Sequence, residues 1–156
     1  MEDYIQWSFA TALVLALAAG AAGQGRGAAP AVAADPALSR SIDDGVYSDR
    51  QAERGRALYL AQCASCHGDD LTGMGFAPGL VGTEFLSLWT GQTVRDFYSR
   101  IRTTMPEADP GSLSPAETID IVSYLFEANG FPSGPEELER EMLETITITT
   151  GAMVHD

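Results

Sequence analysis

The sequence has no lysine at all: nine arginines are its only fixed cations, set against 22 acidic residues for a formal net charge of −13. Nucleic acids and anionic lipid headgroups call for basic patches, so this balance argues against either as a partner. Cysteine and histidine are equally scarce, at two residues each. Two cysteines cannot build a disulfide framework. A zinc site needs four ligands, and beyond Cys63, Cys66 and His67 only His155, near the C-terminus, is left to contribute. Long apolar runs are missing too. The longest uncharged stretch of that kind, Phe9 to Ala22, has fourteen residues, short of the roughly 17–25 of a spanning helix.

That stretch has the length of a signal-peptide apolar region, and Ala31-Val32-Ala33 offers a cleavage site before Ala34. The segment ahead of it carries Glu2 and Asp3 where a signal peptide has Lys or Arg. Residues 1–34 are therefore expected to be a signal peptide or an N-terminal anchor, and the protein to be exported. Gly23 to Ala34 has linker composition, and Asp35 to Tyr47 is polar with no period. Residues 35–48 are expected to be an irregular linker.

The segment Gln62-Cys63-Ala64-Ser65-Cys66-His67-Gly68 carries the chemistry. C-x-x-C-H is the attachment signature of c-type haem. Residues three and four apart on a helical turn share a face, so both thiols can reach the two vinyl groups on one porphyrin edge. His67 follows directly, placed to ligate the iron as the proximal ligand. Gly68 permits a sharp change of direction. A thioredoxin-like pair also uses C-x-x-C, but beside a βαβ pattern, and no parallel strands are visible here. A haem would also complete the core. The part of the chain able to fold, Ser48 to Gly130, is about 80 residues, marginal on its own apolar burial.

Three helices surround the motif. Ser48-Asp49-Arg50-Gln51 is a capping box that starts a helix running to about Gln62, with Ala52, Gly55, Ala57, Leu58 and Tyr59 on one broad side. Gly55 costs about 1 kcal/mol of helix propensity, a cost that close approach of another helix would explain. Thr93 caps a helix to about Thr103, with Val94, Phe97, Tyr98 and Ile101 at helical spacing. Ser114-Pro115-Ala116-Glu117 opens the last, which Ile119, Ile121, Val122, Leu125 and Phe126 continue and Gly130 ends. The expected fold is all-α.

Gly55 and Tyr59 on a first helix, C-x-x-C-H at its end, a later Met-Pro and a final helix bearing Tyr124 together resemble class I cytochrome c. The resemblance covers about residues 49–130 and implies a monohaem domain of three main helices packed around one covalent haem c. It also implies that the first and last helices cross at the Gly and aromatics. Pro78, in Ala77-Pro78-Gly79-Leu80, matches the family's proline after the haem motif, whose loop carbonyl accepts the proximal His N–H; Pro78 and Leu80 would then pack on the haem. The stretch from Trp89 to Leu125, with Asn129-Gly130-Phe131-Pro132, is similar to cytochrome domains and subunits associated with quinoprotein alcohol and sugar dehydrogenases.

Candidates for the second iron ligand are Met74, Met105, Met142, Met153 and His155. Met105 lies 38 residues past His67 and is followed by Pro106. A residue before proline is pushed toward extended geometry, so Met105 would leave the helix and present its sulfur. The class I family places its distal Met in this context. Met74 sits between Gly73 and Gly75, a loop-tip setting. Residues 131–156 form a C-terminal extension in which Pro135 to Leu143 suits a short acidic helix and Thr145 to Thr149 alternates like an edge strand.

The function these features imply is electron transfer in the periplasm, on a haem c with His/Met ligation, with electrons taken from a dehydrogenase. The resemblance suggests a PQQ-dependent dehydrogenase as one partner and a terminal oxidase or another cytochrome as the other. Two other readings stay open: a haem-based sensor or gas-binding protein with an open sixth position, and a fixed electron-transfer subunit of an oxidoreductase complex. No acid–base or nucleophile constellation marks the chain as an enzyme in its own right. Asp43-Asp44, Asp69-Asp70 and Glu136-Glu137 are acidic pairs suited to steering a basic partner.

Overall fold

A computed structural model describes residues 40–150. The expected signal or anchor segment, Met153 and His155 lie outside them. The elements in chain order are a two-residue strand β1 (Arg40–Ser41), helices α1 (Asp49–Gln62), α2 (Ala64–His67), α3 (Gly82–Trp89), α4 (Val94–Thr104) and α5 (Pro115–Ala128), and a second short strand β2 (Ile146–Thr147). The domain is helical, as expected for class I cytochrome c.

The helix starts follow from their caps. Ser48 accepts from the Gln51 N–H, and Thr93 and Ser114 each form a full capping box with Asp96 and Glu117. The hydrogen bonds from Thr93 and Ser114 hold both carboxyls below their ordinary range. α4 stops where expected: Met105 is its C-cap, in extended geometry at φ −125° and ψ 151°. α3 was not anticipated. It is eight residues long, and its N-cap, Val81, makes no side-chain capping bond, so the usual start signal is missing.

The two longest helices pack on each other through Gly55. A Cβ placed there would overlap the Asp120 carbonyl oxygen and come within 2.9 Å of the Tyr124 Cβ. The α1 backbone thus lies directly on α5, and Tyr59 and Tyr124 stack across the crossing with ring centroids 5.4 Å apart. α4 packs on α5 through Phe97 and Phe126 (6.0 Å), and Trp89 from α3 covers Phe97 at 4.7 Å.

Both ends of the described chain depart from the sequence reading. The segment from Arg40 to Ser48, expected to be linker, is folded into the domain. Ile42, Val46 and Tyr47 are buried, and the Tyr47 hydroxyl donates to the Phe131 carbonyl at 2.6 Å. Three apolar residues spread without a period over six positions carry no helical or strand signal, which is why the stretch reads as irregular. In the C-terminal extension the expected acidic helix is only a 3-10 turn, Arg140–Met142, flanked by irregular chain and turns. The alternating stretch does form a strand, and its partner lies within the chain. β2 pairs in parallel with β1, Ile146 opposite Arg40 and Thr147 opposite Ser41.

These two segments make a belt around the helices. The Gln51 amide, buried on α1, both donates to the Leu138 carbonyl (3.0 Å) and accepts from the Leu138 N–H (2.7 Å). Arg54 forks to Asp120 and Glu137 at 2.9 Å, joining α1, α5 and the belt at an exposed site. Leu138, Leu143, Ile146 and Ile148 fill the inner face.

A test of the crossing is Gly55→Ala. Helix propensity alone would stabilise the variant by about 1 kcal/mol, but the overlap with Asp120 forces the helices apart. Denaturant titration of the haem-loaded protein should show a net loss of about 2 kcal/mol.

Candidate haem-binding site

α1 ends at Gln62, and the backbone re-forms at once into the single turn α2. Cys63 is the joint, the C-cap of α1 and N-cap of α2, with its N–H donating to the Tyr59 carbonyl at 2.8 Å. Cys63 is half-buried and Cys66 exposed, and both thiols are free. Burial, helped by the neighbouring Cys66, pushes the Cys63 thiol up to about 11. No βαβ unit, the setting of a thioredoxin-like centre, stands beside the pair among the described residues.

His67 closes α2 and is buried, 8% exposed. Its Nδ1 lies 2.8 Å from the Pro78 carbonyl oxygen. A carbonyl can only accept, so Nδ1 carries the proton and Nε2 keeps its lone pair for a metal. This is the contact that the family resemblance implied for Pro78.

The loop between His67 and α3 is drawn tight to make that contact. Gly68 has φ +80°, turning the chain immediately after His67. The Gly73 N–H donates to the His67 carbonyl (2.8 Å), and the Leu80 N–H to the Leu71 carbonyl (2.8 Å). Asp70 accepts from the hydroxyl and N–H of Thr72, which hold its carboxyl below the ordinary range. From the helix side, the buried Tyr59 hydroxyl donates to the Gly68 carbonyl at 2.6 Å. Burial, with Cys63 the next cause, holds the Tyr59 phenol well above its usual range, so it stays a donor at any physiological pH.

Across from this loop, an open cleft of about 440 Å³ is lined by Gln62, Pro106, Ala108, Asp109, Ser112, Leu113 and Glu117. Gln62 and Pro106 are the sequence neighbours of Cys63 and Met105, but Cys63, Cys66, His67 and Met105 themselves do not line the cleft. Met105 itself is half-buried and packs against the core. Met74 occupies a turn closed by the Ala77 N–H to its own carbonyl (3.0 Å) and is 56% exposed, the loop tip expected of it. Met142 is in the belt, its sulfur 3.9 Å from Arg40 Nη1. Leu80 lies just beyond Pro78, half-buried against the core.

The donors present suit a haem better than a bare ion. Among the described residues no three His, Cys, Asp or Glu side chains converge to hold a metal ion. Cys63 and Cys66 would hold the porphyrin through sulfur, and His67 Nε2 would hold the iron. A helical domain with paired thiols ahead of a carbonyl-oriented histidine, on crossed first and last helices, is the arrangement of a class I c-type cytochrome.

Comparison with known proteins agrees. Residues 50–125 match the family model described as "Cytochrome C oxidase, cbb3-type, subunit III". Residues 50–125 are therefore similar to a c-type cytochrome domain, the kind that binds haem c covalently and works in electron transfer. Among solved structures it is similar in fold to one titled "Crystal Structure of the Sulfane Dehydrogenase SoxCD from Paracoccus pantotrophus". The TM-score is 0.55 and the identity 24%, over 81% of this chain and 68% of that one. No curated protein matches the chain.

Sequence reasoning did not single out Asn129 or the Tyr59 hydroxyl. Asn129 stands before Gly130 and reads as part of a helix stop, and a tyrosine on a helix reads as core. Tyr59→Phe tests the second. Loss of the bond leaves the Gly68 carbonyl without its phenol partner, and the haem-loaded variant should be less stable by about 1–2 kcal/mol in denaturant.

Proposed function

We propose that this chain is a periplasmic electron carrier in which Met105 is the iron's second axial ligand, opposite His67, and which takes electrons from a dehydrogenase. The observation that carries the reading is the His67 Nδ1–Pro78 contact, which leaves Nε2 free for iron, and Met105, in extended geometry at the end of α4, supports it as the second ligand. When bound, the haem iron supplies a one-electron couple of the kind His/Met ligation raises in potential.

The chain's own residues do the rest. Cys63 and Cys66 fix the ring covalently, so it cannot leave with either charge. The Pro78 carbonyl holds the His67 proton at Nδ1 and so keeps one ring orientation and one tautomer in both oxidation states. Met105, released from α4 by the following proline, would offer its neutral sulfur to the iron. Packing of Met105 against the core limits movement between the two states, and a small rearrangement is what rapid electron transfer requires. The apolar N-terminal segment supports export, in keeping with haem attachment outside the cytoplasmic membrane.

The test is the absorption spectrum of the oxidised, haem-loaded protein beside Met105→Ala. A weak long-wavelength sulfur-to-iron band, present in the parent and lost in the variant, is the expected result. A parent without that band that binds carbon monoxide when reduced would replace the carrier with a sensor or gas-binding protein.

The surface charge makes a second prediction. With no lysine and a net charge of −13, encounter with a physiological partner should be steered by basic groups on that partner. The bimolecular electron-transfer rate should fall on the order of 10-fold as ionic strength rises from about 0.01 to 0.15 M. Stopped-flow rates that rise with salt would point to an acidic partner.

A further inference from the structure

We propose that Asn129 is a positioning residue for the haem: by gripping the backbone at Leu80 and Gly82, on either side of Val81, it helps set the hydrogen bond between His67 and Pro78, and through it the reduction potential. This rests on His67 being the iron ligand.

Asn129 is the C-cap of α5 and half-buried. A cap needs only local contacts, and one of its side-chain bonds is of that kind, Nδ2 to the Leu125 carbonyl at 2.7 Å. The other two reach far along the chain. Nδ2 also donates to the Leu80 carbonyl at 2.9 Å, and Oδ1 accepts from the Gly82 N–H at 3.0 Å. One amide thus uses both donors and its acceptor, and two of the three bonds hold the segment that follows Pro78.

Pro78 and Gly79 are packed on Gly73, where an added Cβ would be 2.7 Å from the Pro78 carbonyl carbon and from the Gly79 nitrogen, but the segment makes few hydrogen bonds. Proline has no N–H, so Pro78 itself makes no backbone donation. Gly79 follows, and its flesh-free backbone lies so close to the opposite strand of the loop that an added Cβ would be 3.1 Å from the Thr72 oxygen. The first fixed point past Pro78 is therefore Leu80. Its N–H is tied to Leu71 within the loop, and its carbonyl is tied to α5 only through Asn129. The bond to Leu71 closes the loop on itself; the Tyr59–Gly68 and Gly73–His67 bonds tie its near end to α1 and α2, and the Asn129 bonds tie its far end to α5.

A chain of three contacts results: Asn129 to Leu80, two residues back to Pro78, and the Pro78 carbonyl to His67 Nδ1 at 2.8 Å. A stronger bond from the imidazole N–H gives the ring more anionic character and makes Nε2 a better donor to iron, favouring the oxidised state. Loosening the loop weakens that bond and raises the potential.

The experiment uses the full haem-loaded chain as parent, Asn129→Ser, Asn129→Asp and the control Arg54→Ala. Asn129→Asp keeps the shape and the acceptor toward Gly82 but turns an oxygen on the Leu80 and Leu125 carbonyls. Asn129→Ser removes the long contacts at a half-exposed position, without adding charge. The readouts are the potential by spectroelectrochemical titration and the proton NMR shift of His67 Nδ1–H in the reduced state. Both Asn129 variants should move that resonance upfield, and Asn129→Ser, which adds no charge, should raise the potential, while Arg54→Ala lowers the melting temperature and leaves both unchanged. Asn129 variants that melt earlier with an unaltered potential and resonance would reduce Asn129 to a helix cap and overturn the proposal. Haem that extracts from the parent into acidified solvent would instead overturn the reading of the site on which it rests.

Discussion

The backbone of α1 at Gly55 rests on the Asp120 carbonyl of α5, and the geometry of the site descends from that contact. Because no side chain separates the two helices there, their crossing has little freedom to slide or tilt. One turn farther along α1, Tyr59 meets Tyr124 on α5 and sends its hydroxyl to the Gly68 carbonyl, so the crossing also fixes the turn that carries Cys63, Cys66 and His67. At the far end of α5, Asn129 holds the backbone beyond Pro78. The histidine and the carbonyl that orients it are thus positioned from two points on one rigid helix pair.

The short elements at the ends of the described chain add a different kind of support. A domain of this size has limited apolar surface to bury, and the belt from Arg40 to Tyr47 and from Phe131 to Ile148 enlarges its core. Its inner side chains are apolar, and its backbone groups find partners that ordinary helix packing does not offer. Gln51 pairs with both polar groups of Leu138, the Arg95 N–H donates to the Leu143 carbonyl, and Ile148 exchanges bonds with Gly91 and Gln92. Those last contacts fall on the connection between α3 and α4. The belt therefore braces the start of the helix whose end releases Met105.

Charge enters mainly at the surface. The one branched ion-pair group, Arg54 with Asp120 and Glu137, is solvent-exposed and tethers the belt where it passes the helix crossing. Exposed pairs of this kind add at most modest stability, so its contribution is to registration of the tail. Buried side-chain polar atoms among the described residues are all satisfied. The interior therefore holds its few polar groups, Gln51, His67, Thr118 and Ser123, in fixed hydrogen bonds.

Local chemistry was legible wherever one short segment contains all its own signals. Ser48, Thr93 and Ser114 announce three helices because a cap and its partner are three residues apart. Pro106 announces that Met105 leaves its helix because proline acts on its immediate neighbour. The C-x-x-C-H spacing announces the cofactor, since one helical turn is enough to set both thiols on an edge. α3 escaped notice because it lacks a side-chain cap, and the belt because its pairing joins residues more than a hundred positions apart. The roles of Asn129 and of the Tyr59 hydroxyl depend on carbonyls that no pattern of side chains reveals. By itself, then, the sequence determined the three capped helices, the haem motif and the sign of the surface charge, all consequences of neighbours along the chain. Only the tertiary structure decided how the loop after His67 is held and where the chain ends pack, because those depend on backbone groups brought together from distant positions.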